Sequence, residues 1–351
     1  MAVYRKDVYC EFEFLKKFRS SNGHFSPLES TEALGTWLNV AKFIQKSHLL
    51  LNVNTVSFKK SIKPGDTLFS LWKKSTEGVS KMSFLDDHKI EFFENLIITP
   101  EGLNKVYLLA KQNAICKDWA EKAGTIVLSP TCWQSNEEAK KHEYLFGDCG
   151  YAVTKNDSLE WNAVLRSEYC LSNCNAMILI DNYIHDNINN NLLAIVDRML
   201  PKKLYRDTEY HLTILTEKNR DKDLQFYDKM YKSVVEKISK SRPELKCKVE
   251  LYVMNGKGRF HDRTILTNNV KIDSGAGFAL KNENGRAKNS TNIHILHPGI
   301  QSCSDSCDIS YVNILEEAKR FISRIERVAG AGERFPKDGS CHNRLIIGID
   351  Q

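Results

Sequence analysis

The sequence predicts an α/β protein built from two α/β halves. Short apolar runs of strand length alternate with segments whose apolar residues recur at helical spacing, an order typical of sheets covered by helices. The chain has 351 residues, a length that suits two domains. The alternation is weaker in residues 1–130 than from Trp161 onward, so we predict a boundary between these regions.

The N-terminal half, residues 1–130, is predicted to be an α/β domain of unassigned type. Its candidate helices are Glu32–Lys46 and Leu103–Ala123, both amphipathic. Its candidate strands are Asp7–Cys10, Leu49–Val53, Asn95–Thr99 and Thr125–Leu128. Residues 131–160 lack a long apolar period and are rich in Glu, Lys, Asn and Gly, so we predict a connector there.

The C-terminal half, residues 161–329, is predicted to be a mixed sheet flanked by helices. Its helices are predicted over Asn189–Met199, Asp221–Ser241 and Ile314–Val328, where apolar residues recur on one face. Its strands are predicted over Ala176–Ile180, Tyr210–Thr216, Lys248–Met254, Arg259–Asn268, Val270–Asp273 and Asn292–Leu296. Residues 330–351 are predicted to be a loosely ordered tail in which Leu345–Ile349 docks as an edge strand.

Composition and charge exclude some classes of protein. Hydrophobic residues make up 42% of the chain and charged residues 27%, which excludes a disordered chain. The net charge of +6 is compatible with binding to nucleic acid or an anionic membrane. No apolar run reaches the roughly 18 to 20 residues of a transmembrane segment, and the N-terminus lacks the apolar core of a signal peptide. We therefore expect a cytoplasmic protein whose ten cysteines are reduced.

Residues that often bind metals form no firm signature. Cys170/Cys174 and Cys303/Cys307 share a C-x3-C spacing, whereas zinc usually takes C-x2-C or C-x4-C pairs. Five acids of the N-terminal half invite comparison with PIN-like nucleases, which bind divalent metal at strand ends, but ordinary surface acids are an alternative: Asp7, Glu11, Asp86, Asp87 and Glu91. We predict no metal site and no cofactor.

The predicted strand Arg259–Asn268 carries a pattern suited to phosphate. Because side chains two residues apart share a face of a strand, His261 and Arg263 point the same way. A guanidinium offers a fork of donors to phosphate, and an imidazole can attack or donate a proton. The following Ser274-Gly-Ala-Gly277 offers a hydroxyl and backbone N–H groups, and glycine permits the close approach of an anion.

This pattern resembles the phospholipase D (PLD) superfamily, in which His-x-Lys is followed by four residues, Asp and then a Gly-Ser element. The register here reads His261-x-Arg263, four residues, Asn268, then Ser274-Gly275. The closer likeness is to the PLD-like C-terminal domain of the eukaryotic MIT-domain protein that binds ESCRT-III, through His-Asp-Arg, an Asn-Asn turn and Gly-x-Gly. The resemblance covers about residues 161–300 and makes the C-terminal half a PLD-like mixed sheet.

The resemblance implies metal-independent phosphodiester chemistry. His261 would be the nucleophile, and Arg263, Asn268 and Ser274 would hold the phosphate. Further substrate contacts are expected from Asp181 after its strand, from the glycines of the turn and from nearby basic residues: Asp181, Gly275, Gly277, Lys257 and Arg259. Since only one such motif is present, activity requires a homodimer or another histidine as proton donor; the candidates are His185, His211, His294 and His297.

Two hypotheses about function remain open. The first is a PLD-type nuclease or phosphodiesterase working as a homodimer, in prokaryotic host defence by analogy with its domain type. The second is a non-catalytic phosphate-binding module that docks nucleic acid, an anionic membrane or a partner protein, as the related eukaryotic domain implies. A further alternative for His261 and Arg263 is a purely structural pair that hydrogen-bonds to Asp181.

Overall fold

The computed structural model describes most of the C-terminal half and scattered parts of the N-terminal half. The described residues are 7–22, 44, 47–64, 67–77, 81–84, 106–110, 126–128, 149–165, 174–202, 204, 209–256, 263–268, 270–296, 309–338 and 341–347. Two compact units result: an N-terminal unit of residues 1–147 with 297–305, and a C-terminal unit of residues 148–296 with 306–351.

The N-terminal unit contains a parallel sheet of five strands. Its strands are β1 (Asp7–Cys10), β2 (His48–Leu51), β3 (Lys81–Phe84), β4 (Val106–Leu108) and β5 (Ile126–Leu128), in the order β3-β2-β1-β4-β5. Its helices are α1 (Phe12–Asn22), α2 (Thr55–Ser61) and α3 (Thr67–Thr76). This confirms the prediction of an α/β sheet in this half.

One predicted helix of this unit is wrong over residues 106–110, and its other residues lie outside the described ones. Residues Leu103–Ala123 were predicted to be helical, yet β4 lies inside that range and pairs with β1 and β5. Val106, Tyr107 and Leu108 are fully buried on an interior strand of the sheet, and a strand buried on both faces shows no alternation that separates it from a helix. The predicted strand Asn95–Thr99 and nearly all of the predicted helix Glu32–Lys46 lie outside the described residues.

The C-terminal unit contains a mixed sheet of eight strands. The strands are β6 (Cys149–Val153), β7 (Ala176–Ile180), β8 (Tyr210–Glu217), β9 (Cys247–Met254), β10 (Arg263–Thr267), β11 (Lys271–Ser274), β12 (Thr291–Leu296) and β13 (Gly332–Phe335). Their order is β13-β9-β8-β7-β10-β11-β12-β6. Only β7, β8 and β9 are mutually parallel; every other pairing is antiparallel. The predicted mixed sheet is confirmed.

Helices flank this sheet and bury its core. They are α4 (Trp161–Val164), a π-helical segment (Asn189–Leu193) that runs directly into α5 (Ala194–Met199), α6 (Leu224–Ser241), α7 (Ile309–Arg327) and α8 (Arg344–Ile347). Helix α6 begins where the Asp223 side chain accepts a hydrogen bond from Phe226 N at 2.8 Å, which caps its first turn. The buried face of α6 carries Tyr227, Met230, Val234 and Ile238, at the helical spacing of the sequence.

The C-terminal unit extends beyond the predicted bounds of 161–329 at both ends. Strand β6 lies within the predicted connector and pairs with β12, and β13 lies within the predicted tail and pairs with β9. The predicted edge strand Leu345–Ile349 is wrong, because residues Arg344–Ile347 form α8. Both new strands are short edge strands, whose half-exposed residues carry little apolar signal.

The tail is fastened to the sheet by side chains just before α8. The fully buried Asn343 side chain donates to Met177 O and to Thr213 Oγ1, both at 3.0 Å. Arg344 N donates to His211 Nδ1 at 3.2 Å, so this ring nitrogen must be unprotonated. Burial, followed by the charge of Arg344, lowers the pKa of His211 from its ordinary 6.5 to about 4.

We expect the stability of the wild-type protein to fall as the pH drops from 6.5 to 4. In that window the unfolded chain binds a proton at His211 and the folded chain resists it, so acid favours unfolding. His211→Asn keeps an acceptor for Arg344 N without titrating, and should remove about 2–3 kcal/mol of this pH dependence. Urea unfolding at pH 7.5 and pH 4.5 measures the effect. Equal pH dependence in the variant and the wild type would contradict it.

Candidate functional site

The predicted phosphate-handling residues of the C-terminal unit meet at one edge of the eight-stranded sheet. Asp181 follows the carboxyl end of β7, while Arg263 begins the antiparallel β10 and pairs with Ser274 at the end of β11. The antiparallel order therefore brings the end of β7, the start of β10 and the end of β11 to the same edge. Gly275 and Gly277 follow Ser274 directly.

Asp181 is fully buried and binds backbone N–H groups with both carboxylate oxygens. Its Oδ1 accepts from Tyr183 N at 2.8 Å, and its Oδ2 accepts from Phe278 N at 2.5 Å. Burial raises the pKa of Asp181, while the hydrogen bonds from Tyr183, Phe278 and Ala279 and the charge of Arg263 act in the opposite direction. The carboxylate thus binds N–H groups of Phe278 and Ala279, directly after the Ser274-Gly-Ala-Gly277 turn on which a phosphate was predicted to rest.

The glycine turn is shaped to fit this carboxylate. Gly277 has a φ of +83°, and a Cβ there would lie 2.8 Å from Asp181 Oδ2, so only glycine fits. The Ser274 hydroxyl donates to Gly277 O at 2.5 Å, and Gly277 N donates to Ser274 O at 3.1 Å. The serine hydroxyl that was predicted to hold a phosphate therefore closes its own turn.

Arg263 is the predicted site residue that remains partly accessible at this edge. Its Nη1 donates to Gly275 O at 3.0 Å, which fixes one side of the guanidinium. Its Cζ lies 5.9 Å from the centre of the Tyr183 ring, within the range of a cation–π contact. Tyr183 is 51% exposed, unusual for a large aromatic side chain, and no motif in the sequence points to it.

Asn268 lies away from the other predicted site residues. It follows β10 at the opposite end from Arg263, about 16 Å away at the rise of an extended strand. Its buried Oδ1 accepts from Asn175 N at 2.8 Å and Ala176 N at 3.0 Å, which caps the start of β7. Asn268 is therefore a structural residue, and its predicted catalytic role is corrected. His261, Lys257 and Arg259 lie outside the described residues.

A cleft of about 1000 Å³ opens at the carboxyl ends of the parallel strands, and we call it the strand-end cleft. Loops after β7, β8 and β9 line it, contributing among others Tyr183, His185, Lys218, Asn219, Arg220 and Asn255. Ligands of open α/β sheets bind in crevices outside the carboxyl ends of strands, at points where the strand order reverses. Here the chain moves from β7 outward to β8 and β9, and β10 returns on the other side of β7.

His185 is the candidate proton donor that lines this cleft. The residue is 4% exposed, and its Nε2 lies 3.3 Å from the Asn219 amide nitrogen, while Nδ1 makes no hydrogen bond among the described residues. Burial lowers the pKa of His185, which favours the neutral ring. His211 is the second residue of β8, at the opposite end of that strand from the cleft. His294 is exposed on β12, and His297 is outside the described residues.

The two candidate metal-binding acids of the N-terminal unit that the structure describes do not lie together. Asp7 begins β1 and Glu11 follows its last residue, four residues on, or about 13 Å at the rise of a strand. Glu11 Oε2 accepts from Ala110 N at 2.7 Å, which links the ends of β1 and β4. Within the described ranges no three His, Cys, Asp or Glu residues are grouped to bind a metal ion, and Asp86, Asp87 and Glu91 lie outside them.

Comparison with known proteins adds no family assignment. The chain matches no family model and no curated protein. None of the helices in the described part of the chain combines the length and apolar character needed to cross a membrane. The geometry of the C-terminal unit is therefore the basis for a functional proposal.

Proposed function

We propose that the C-terminal unit binds single-stranded nucleic acid, with the phosphodiester backbone at Arg263 and a base on Tyr183. The observation that carries this proposal is the Arg263 guanidinium lying 5.9 Å from the exposed Tyr183 ring at the mouth of the strand-end cleft. Exposed aromatic rings beside cations are the common way in which proteins hold unpaired bases, because every base has a stacking face.

The strand-end cleft supports this proposal by its size and its charges. Its volume of about 1000 Å³ is larger than one nucleotide needs. Lys218 and Arg220 of its lining are cations, and Arg263 adds a third beside the Tyr183 ring, against the carboxylates of Glu217 and Asp221. Asn219 and Asn255 add amide groups that can donate and accept hydrogen bonds to base edges.

Binding is favoured over catalysis by the state of the predicted catalytic groups. Asp181 accepts from the backbone of Tyr183 and Phe278, and Asn268 caps β7. Ser274 and Gly277 hydrogen-bond to each other, so four predicted catalytic or substrate contacts already have partners. Cleavage by His261 is a second candidate function. It is favoured by His185, which lines the strand-end cleft and whose buried Nδ1 has no hydrogen-bond partner among the described residues, because such a ring can move a proton.

The binding proposal predicts that Tyr183→Ala weakens the binding of single-stranded DNA and RNA roughly tenfold. The substitution removes the stacking ring but keeps the Tyr183 N–H that Asp181 accepts, so the fold is preserved. Tyr183→Phe is the matched control, because it keeps the ring and should bind like the wild type. Fluorescence anisotropy with labelled oligonucleotides, repeated at two salt concentrations, measures both variants.

Arg263→Gln should also weaken binding and lower its salt dependence, whereas Arg324→Gln, at an exposed position of α7, should not. Wild-type affinity in Tyr183→Ala, or the same loss in Tyr183→Phe, would refute the proposal. Cleavage is monitored in the same samples with EDTA and with magnesium. Metal-independent cleavage that is lost in His261→Ala would establish the enzyme instead of a binding module.

A further inference from the structure

A second cleft of the C-terminal unit lies among its helices, and we call it the helix-side cleft. Its volume is about 540 Å³, and it is lined by the start of α4, the π-helical segment, α5 and α6, together with Lys281. None of its lining residues belongs to the strand-end cleft. We propose that the helix-side cleft binds a small molecule through a phosphate monoester group.

The helix-side cleft has more cations than carboxylates. Its charged lining residues are Arg198, Lys237, Arg242, Lys281, Glu160 and Asp197. Asp197 is paired with Lys237 at 3.5 Å and with Arg242 at 3.5 Å. Arg242 also donates to Asp197 O and Ser241 O, so its guanidinium is committed to holding α5 against α6. The cations left for a ligand are therefore those of Arg198 and Lys281, and the other charge left in the lining is the exposed Glu160 carboxylate.

Arg198 is held in place by one nitrogen only. Its Nε donates to Leu165 O at 2.7 Å, while its two Nη groups make no hydrogen bond or ion pair within the described ranges. A guanidinium fixed through Nε keeps its outer donors in a defined plane, an arrangement that suits two oxygens of one phosphate. Arg198 thus combines a fixed position with unused donors.

Lys281 is positioned by a buried asparagine of the π-helical segment. Asn191 is fully buried, accepts from Lys281 N at 2.8 Å and donates to Lys281 O at 3.1 Å. Asn190 donates to Asn282 O at 3.3 Å, which holds the next residue of the same loop. In the part of the chain that the structure describes, the Lys281 ammonium has no ion pair. The two asparagines therefore hold the loop in place, while the charge of Lys281 stays available to a ligand.

The π-helical segment is a second indication of a ligand site. Such segments are rare, cost stability and occur frequently at functional sites, because the wider turn repositions side chains. Here the segment lines the cleft through Asn189 and Leu193 and carries the asparagine clamp of Lys281. Two unpaired cations match the charge of a phosphate monoester, and a cleft of this volume admits a molecule the size of a mononucleotide.

The test is calorimetric titration of the full chain with inorganic phosphate, adenosine 5′-monophosphate and adenosine. We expect the two phosphate compounds to bind and adenosine not to bind. Lys281→Gln should weaken phosphate binding roughly tenfold, because one charge-assisted hydrogen bond is lost. This variant keeps the backbone atoms that Asn191 holds, so it should fold normally. Lys240→Gln, an exposed position of α6, removes the same charge elsewhere and should bind like the wild type.

Arg198→Gln provides a second variant, with an expected loss at least as large. No binding of either phosphate compound at millimolar concentration, or wild-type affinity in Lys281→Gln, would overturn the proposal. Loss of single-stranded nucleic-acid binding in Lys281→Gln would also overturn it, because the helix-side cleft would then belong to a nucleic-acid track. Binding of phosphate that is unaffected by Tyr183→Ala supports a site separate from the strand-end cleft.

Discussion

Replacement of Asp181 by alanine is expected to lower the free energy of unfolding by about 3 kcal/mol. The substitution leaves the N–H groups of Tyr183, Phe278 and Ala279 without their buried acceptor. Relief of the burial that raises the pKa of Asp181 offsets part of this loss. The free energy of unfolding of Asp181→Asn should lie between those of Asp181→Ala and the wild type. The amide retains one oxygen acceptor but places a donor against the other N–H.

Urea unfolding gives the free energy, and amide hydrogen exchange at Phe278 and Ala279 locates the effect. The control is Asp228→Ala, an exposed residue of α6 paired with Lys232, which should cost less than about 1 kcal/mol. Because folding raises the pKa of Asp181, its contribution is larger at acid pH and declines as the pH rises through that pKa. Unchanged protection of Phe278 in Asp181→Ala would refute the role of this carboxylate.

The sheet edge that carries the candidate site was predictable because its elements are close in the sequence. A strand, a two-residue Asn268-Asn269 turn and a second strand ending in a glycine turn define a hairpin, and a hairpin fixes which residues meet. Alternation on β10 and the acid after β7 then brought Arg263, Asp181 and Ser274 to one edge, as the structure has them. Local pattern sufficed to place Arg263 opposite Ser274, whereas Asp181 is distant in the sequence and was placed only by its position after a strand.

The hydrogen-bond partners at that edge were not predictable from the same pattern. A sequence with a carboxylate and a glycine turn is consistent with a turn that binds an anionic ligand. It is equally consistent with a turn that contacts a carboxylate of the protein itself. The short contact between Asp181 and the backbone of Gly277–Phe278 joins residues almost a hundred positions apart, and no local signal encodes it. Asn268 was assigned to the site by its spacing in a motif, although the length of β10 places it at the other end of the strand.

The contact between Asp181 and the glycine turn limits what the resemblance to the PLD superfamily implies about catalysis. A motif of His-x-Arg followed by a glycine turn can keep the turn without a phosphate, because the Asp181 carboxylate lies against Gly277 and accepts from the N–H of Phe278 just after it. Selection for stability alone can then preserve the motif. The exposed Tyr183 ring has no such structural explanation, which is why the proposed binding site is centred on it and on Arg263.

Asn191→Asp is the second substitution with a large expected effect, a loss of about 3–5 kcal/mol at neutral pH. Asn191 Nδ2 donates to Asp186 O and Lys281 O, so a carboxylate at this fully buried position faces two carbonyl oxygens. The introduced acid should have a raised pKa in the folded protein. Its cost therefore shrinks as the pH falls below that pKa, where the protonated carboxyl group can again donate to one carbonyl.

Urea unfolding at pH 8 and pH 5 measures this dependence, and Asn284→Asp, exposed in the same loop, is the matched control with little expected effect. At a pH where Asn191→Asp is folded, it should also weaken phosphate binding, because the loop that positions Lys281 loses its clamp. Binding of single-stranded nucleic acid at Tyr183 should persist in the folded variant. A variant as stable at pH 8 as the wild type would show that the asparagine side chain does not hold the loop.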